Sequence, residues 1–270
     1  MNKASLSNAG HTSRPVVIRR KAKLISAVLF SAALIGSLVT ASAPGVAADS
    51  DETIAVSLAT MLRASRAVIS KNQKHINDAN IGDKGLSTAV VVAKAKENYK
   101  KATGTDVDSI DPASLHGKLI KAQLAAIAKV MDNAQGTINK KGVSLKGFLP
   151  AVFARLVAEG FTANVSGQAT LKLTAPKSYV RNRSNRPDAW ENNVIESMFK
   201  SADHPKNKHV AEAANVKGKK AFRVILPEYY GKSCLSCHGG PKGERDITGG
   251  KKEGGTLGEL GGAISVAIFK

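Results

Sequence analysis

Residues 221–238 read Ala-Phe-Arg-Val-Ile-Leu-Pro-Glu-Tyr-Tyr-Gly-Lys-Ser-Cys-Leu-Ser-Cys-His. Five of the first six are apolar, with the β-branched Val224 and Ile225 among them, the composition of a strand. A Tyr229-Tyr230-Gly231 turn follows, and then both cysteines of the chain, separated by two residues and followed by a histidine. A second strand-like run, 263–269, closes the sequence, and 170–174 alternates polar and apolar residues as a half-buried strand does. Glycine-rich stretches at 239–240 and 249–262 flank the cysteine motif and read as loops around a ligand.

Upstream the period changes from two to about three and a half. Ile54, Leu58, Met61/Leu62, Ser65 and Val68/Ile69 predict a helix over 52–77, broken by Gly82 and Gly85. A second helix is expected over 87–101, ended by Gly104. A third should open at Asp111-Pro112, a cap followed by proline at the first helical position, with His116 exposed in its first turn and Leu115, Leu119, Leu124, Ile127, Val130 and Met131 inward. A short helix is expected from Pro150 to Glu159 with Gly160 as its stop, and another over 188–200 with Trp190, Val194, Met198 and Phe199 inward. Helices first and strands later give an α+β fold, an antiparallel sheet with the N-terminal helical segment packed against it. The expected organisation is a leader at 1–48, a helical part at 49–146 and a mixed part at 147–270.

The leader rests on a basic region (Arg14, Arg19, Arg20, Lys21, Lys23), an uncharged stretch over 24–41 and small residues at Val46-Ala47-Ala48. This is a secretory pattern with cleavage expected after Ala48 and a periplasmic destination. An uncleaved membrane anchor is the alternative, because the apolar stretch is at the lower limit for a span. The chain carries +19; residues 1–48 contribute six Lys/Arg and no acid, which leaves +13. Such a surface attracts acidic proteins and anionic membranes, so an acidic redox or signalling partner and peripheral membrane association are expected, beside the plain reading of a solvated basic surface. Nucleic acid is not expected as a partner, since the lysines are dispersed with few aromatics among them.

Cys234-Leu235-Ser236-Cys237-His238 has the spacing of c-type haem attachment. Two thiols three positions apart on one helical turn can add to the two vinyl groups on one porphyrin edge, and the next residue then offers a nitrogen to the iron. A structural zinc would need a further ligand pair that is absent from the sequence. A redox-active Cys-x-x-Cys would open a helix in a βαβ unit, and a plain disulfide would not call for His238. One covalent haem is therefore expected at Cys234, Cys237 and His238.

The chain resembles the extracytoplasmic c-type haem domains of PAS-like fold, known as a cyanobacterial cytochrome and as sensor domains of kinases and chemoreceptors. The resemblance is carried by 66–69 leading to 76–78, 150–153, 180–183 running to 186–191, Cys234–Gly239 and 260–266. It implies a haem lying between the sheet and the N-terminal helix, with a cysteine near the end of that helix as the other axial ligand. No third cysteine exists here, so either another side chain replaces it or the iron is five-coordinate and open; His75 is the candidate sixth ligand, with Met61 more plausible as core. Arg181, Arg183 and Arg186 form a basic run from which one haem-propionate contact is expected, and Tyr230 is expected at the haem edge or in the core. Electron transfer ranks first as function and an extracytoplasmic redox or gas sensor second. A peroxidase-like enzyme ranks last, because no distal acid–base pair is visible.

Overall fold

The computed structural model describes residues 49–270; the expected leader lies outside the described residues. The first helix, α1 (Asp51–Lys71), begins where Ser50 Oγ accepts the Thr53 amide at 3.1 Å and Asp51 and Glu52 face the positive end of the helix dipole. Its stripe of Ile54, Leu58, Met61, Leu62, Val68 and Ile69 is buried. Asn72 interrupts it, with Nδ2 donating to the Val68 carbonyl at 2.8 Å, and a single further turn, α2 (Gln73–Ile76), completes the predicted stretch. α3 (Thr88–Thr103) is capped by Ser87 and ended by Gly104 in the left-handed region, as expected.

Two helix boundaries differ from expectation. α4 (Leu115–Ile138) is capped by Ser114, whose Oγ accepts the Gly117 amide at 2.9 Å. Asp111 instead closes a turn ahead of it, accepting the Ala113 amide at 2.9 Å. The first turn of α4 meets the first turns of α1, so His116 is buried rather than exposed, with Nδ1 2.6 Å from Asp49 and Nε2 2.7 Å from Ser57. α5 (Pro150–Asn164) runs through Gly160, which sits against Ala126 of α4. The chain turns only at Ser166 and Gly167, both at positive φ.

Four antiparallel strands, β1 (Ala169–Thr174), β2 (Val210–Val216), β3 (Lys219–Tyr229) and β4 (Leu260–Phe269), form one sheet in the order β1-β4-β3-β2. The fold is α+β. Alternation divides each strand between the two faces. Leu171, Leu173, Val224, Leu226, Ile264, Val266 and Ile268 join the core built with α1, α4 and α5, where Phe153 and Phe161 are fully buried. Ile225 and Ala263 face the other way, against Val194, Ile195 and Phe199. Those three belong to α6 (Ala189–Asn193) and its continuation as a π-helical turn, Val194–Phe199. The wider turn, closed from the Lys200 amide to the Ile195 carbonyl, carries Met198 to the surface, against the expectation that it points inward. None of the described helices is long and apolar enough to cross a membrane.

β3 changes character at its end. β2 pairs with it only as far as Ile225, so Pro227 stands where β3 has become an edge and needs no amide on that side. Arg63 Nη2 donates to the Pro227 carbonyl at 3.1 Å. Glu228, buried at 8% exposure, receives Arg63 at 2.5 Å and also Arg66, which pins the last turns of α1 to the strand. Between Glu228 and Tyr229 the register slips: Glu228 opposes Gly262 and Tyr229 opposes Leu260, so Gly261 is an extra residue on β4. A bulge of this kind re-aims the side chains beside it. Replacing Glu228 by Ala leaves two arginines without their buried acid and should cost about 2–4 kcal/mol in urea unfolding at neutral pH. Arg63→Ala, whose side chain is 42% exposed, should cost about 1 kcal/mol or less.

Candidate functional site

The segment 230–259 leaves β3 and returns to β4, so its two ends are tied together by the sheet. It opens with a 3₁₀ turn, Lys232–Cys234, followed directly by α7 (Leu235–His238). Ser233 Oγ lies 2.8 Å from Ser70 Oγ, so the last turn of α1 touches this turn. Cys234 and Cys237 are both free thiols and half-buried.

His238 is held from two directions. Its ring stacks on Tyr230, centroids 5.3 Å apart and planes 19° from parallel. The tyrosine ring occupies the space that Cβ atoms at Gly255 and Gly261 would fill, so two glycines and the bulge together make its slot. The Gly255 amide donates to the His238 carbonyl at 2.8 Å, and the Tyr230 amide to the Glu259 carbonyl at 2.9 Å. The Tyr230 hydroxyl is buried with no hydrogen-bond partner among the described residues. Burial, and then the nearby Glu253 charge, push its pKa well above the ordinary phenol value.

From the second direction, His238 Nδ1 lies 2.7 Å from Glu253 Oε2. A carboxylate accepts only, so Nδ1 carries a proton, and in the neutral ring it is Nε2 that presents a lone pair. Among the described residues His238 is the one histidine whose Nε2 makes no hydrogen bond. His75 Nε2 is 3.0 Å from the Lys84 carbonyl, His116 Nε2 meets Ser57, His204 Nε2 is 2.9 Å from the Lys208 carbonyl and His209 Nε2 is 2.8 Å from Glu52. Two adjacent thiols and one imidazole with a bare Nε2 form the donor set that a thioether-linked haem requires, and the residues present fit that group.

Glu253 is in turn fixed by Arg181. Its Oε1 accepts Arg181 Nε at 3.1 Å, and Oε2 accepts Nη2 at 3.2 Å. The same guanidinium donates to Asp246 Oδ2 at 2.5 Å and to the carbonyls of Cys237 (2.8 Å) and Lys251 (3.0 Å). Desolvation alone would lower the Arg181 pKa, but the hydrogen bonds to Asp246 and Glu253 raise it. Asp246 is buried, which alone would raise its pKa. Hydrogen bonds from Thr248 and Arg181 override this and hold it down at about 2.

Cys234, Cys237, His238, Arg181 and Tyr230 are thus brought together. Arg181 spends its donors on loop carboxylates and carbonyls, so the role the structure gives it is to brace the site. Arg183 is exposed in a separate 3₁₀ turn and makes no side-chain hydrogen bond among the described residues. His75 sits one turn beyond the end of α1, on the Lys84 carbonyl. Glu253 and Asp246 also belong to the site and are not among the residues expected from the sequence, whereas Gly255 and Gly261 fall in the 249–262 stretch expected to loop around a ligand. The available signal was Glu253 itself, one of two acids in the glycine-rich 249–262 stretch.

A family model described as Tll0287-like matches residues 46–268. No curated protein and no solved structure matches the chain.

Asp246→Asn should lower stability by about 2 kcal/mol at pH 7, the free energy equivalent of its pKa displacement. Its folded-state pKa lies below the ordinary 3.8. The stabilisation is therefore present above pH 4 and should fade between pH 4 and 2, which chemical denaturation across that range would follow. Gly255→Ala and Gly261→Ala should each cost about 1–3 kcal/mol in thermal unfolding, because an added methyl meets the Tyr230 ring.

Proposed function

The chain belongs to the Tll0287-like family, a family of cytochrome type, and on that footing we propose that it is an exported protein carrying one covalent haem and acting in electron transfer. The observation that carries this reading is the His238 imidazole, its Nδ1 tied to Glu253 and its Nε2 bare, directly after two free thiols. Cys234 and Cys237 would each form one thioether bond, a thiol adding across each of the two vinyl groups, and His238 Nε2 would ligate the iron. Bound there, the haem would take up and release one electron. Tyr230 packs against the ligating imidazole and excludes water from one of its faces. Arg183, exposed and uncommitted, is the arginine of the 181–183 pair that has donors for a propionate.

A PAS-like arrangement, with the haem between the sheet and α1, is part of the same proposal, and the Ser70–Ser233 contact supports it. So are the division into a leader (1–48), a helical part (49–146) and a haem-binding part (147–270), the periplasmic location, and the role of carrier rather than enzyme. The basic balance, 40 Lys+Arg against 21 Asp+Glu, suits an acidic redox partner, with an association rate that falls as salt rises. A second reading, a haem sensor of redox state or of small gases, is supported by the engagement of His75 with Lys84, which takes the candidate sixth ligand's Nε2 for structure.

Expression in cells able to attach haem outside the cytoplasm should give a protein whose haem survives denaturing electrophoresis. Cys234→Ala with Cys237→Ala should lose it. A low-spin absorption spectrum, unmoved by carbon monoxide in the reduced protein, is the expected result. A spectrum that shifts with the gas would replace electron transfer by sensing, and a wild type without haem would overturn the proposal.

A further inference from the structure

We infer that Glu253, set in place by Arg181 and Asp246, lowers the reduction potential of the iron that His238 holds. The inference rests on the haem reading above and deepens it, since it names the residues that tune the site. Glu253 is a positioning residue: it touches the ligand and not the metal.

Three features support it. The Glu253 carboxylate is 7% exposed, so its charge acts on the imidazole with little screening by water. Its 2.7 Å contact with Nδ1 is a charge-assisted hydrogen bond, which draws the Nδ1 proton toward oxygen and leaves Nε2 a stronger donor. A stronger donor favours the higher-charged ferric iron. Finally, one guanidinium serves two carboxylates, Nε and Nη2 on Glu253 and Nη1 on Asp246. A single positive charge thus fixes Glu253 and leaves the cluster with one negative charge in excess. Merely orienting the ring would need only an acceptor, which an uncharged amide supplies. Burying two carboxylates on one arginine is costly to fold, and the surplus negative charge faces His238.

The electron balance is simple. One electron passes from a small-molecule mediator to the iron, and the Nδ1 proton stays within its hydrogen bond to Glu253. Potentiometric titration should be run on wild type, Glu253→Gln and Arg181→Lys, after gel electrophoresis has established thioether-linked haem in each. Glu253→Gln keeps the acceptor and removes the charge, so its midpoint should rise; a tenfold loss of ferric preference would read as about 59 mV for one electron. Arg181→Lys replaces a fork by a point contact, frees more of the Glu253 charge and should lower the midpoint.

The opposite signs matter, because general opening of the site to water would move both variants the same way. If Glu253→Gln fails to fold, Asp246→Asn returns the whole guanidinium to Glu253 and should raise the midpoint with the Glu253–His238 contact intact. Equal midpoints, or shifts of one sign in Glu253→Gln and Arg181→Lys, would overturn the inference while leaving the haem reading in place. Absence of covalent haem in the wild type would overturn both.

Discussion

The antiparallel ladder between β3 and β4 is the constraint on which the rest of the site depends. It runs from Ala221 opposite Phe269 to Tyr229 opposite Leu260, and it lies in the middle of the sheet with a partner on each side for much of its length. Everything between its ends must leave and re-enter at fixed points. The bulge at Gly261 then sets the direction in which Tyr230 departs, and Tyr230 sets the plane of His238. A loop anchored only at its ends would sample many arrangements. Here the backbone bonds from Gly255 to His238 and from Gly258 to Tyr230 fold the two arms of the loop onto one another, so the ring positions follow from the sheet register.

Acidic residues are scarce in this chain, and several are placed where they join distant segments. Glu228 binds α1 to β3 through Arg63 and Arg66. Glu191 is 2% exposed and accepts Lys172 from β1 at 2.7 Å, while Arg223 from β3 reaches both it and Asp188 and lies over the Trp190 ring. Asp246 and Glu253 meet Arg181. Buried pairs of this kind add little net stability against a well-packed apolar alternative, but they penalise every misplacement of the elements that they join. Lysine is used in the interior at few places: Lys84 and Lys146 are buried on backbone carbonyls, and Lys172 reaches Glu191.

Much of the fold could be read from the sequence because its signals are local. Strands β1, β3 and β4 stood out by alternation or by apolar runs, and α1 and α3 by spacing and caps. β2 did not: Val-Ala-Glu-Ala-Ala-Asn-Val has small residues and a weakly buried face because it is an edge strand. Its only strong mark is the two-residue turn at Lys217-Gly218, both at positive φ. Exposure of His116 is the natural expectation because nothing in its neighbourhood announces Asp49 or Ser57, which arrive from just ahead of α1 and from its second turn. Arg181 was recognisable as a residue with work to do, but a charge in a sequence does not name its partner. Glu253 was invisible for the same reason, whereas Cys234, Cys237 and His238 were legible at once, since their geometry is contained in one turn of chain.

That contrast in range separates two events in the life of the molecule. The two thiols and the imidazole keep their spacing in any chain that can form a turn there, so a still unfolded polypeptide already displays them. The contacts from Arg181 to Glu253 and to Asp246 span 72 and 65 residues and come into being only when the sheet closes. The donor triplet thus needs only a short peptide, while the contacts that hold its imidazole in place are made later, by folding.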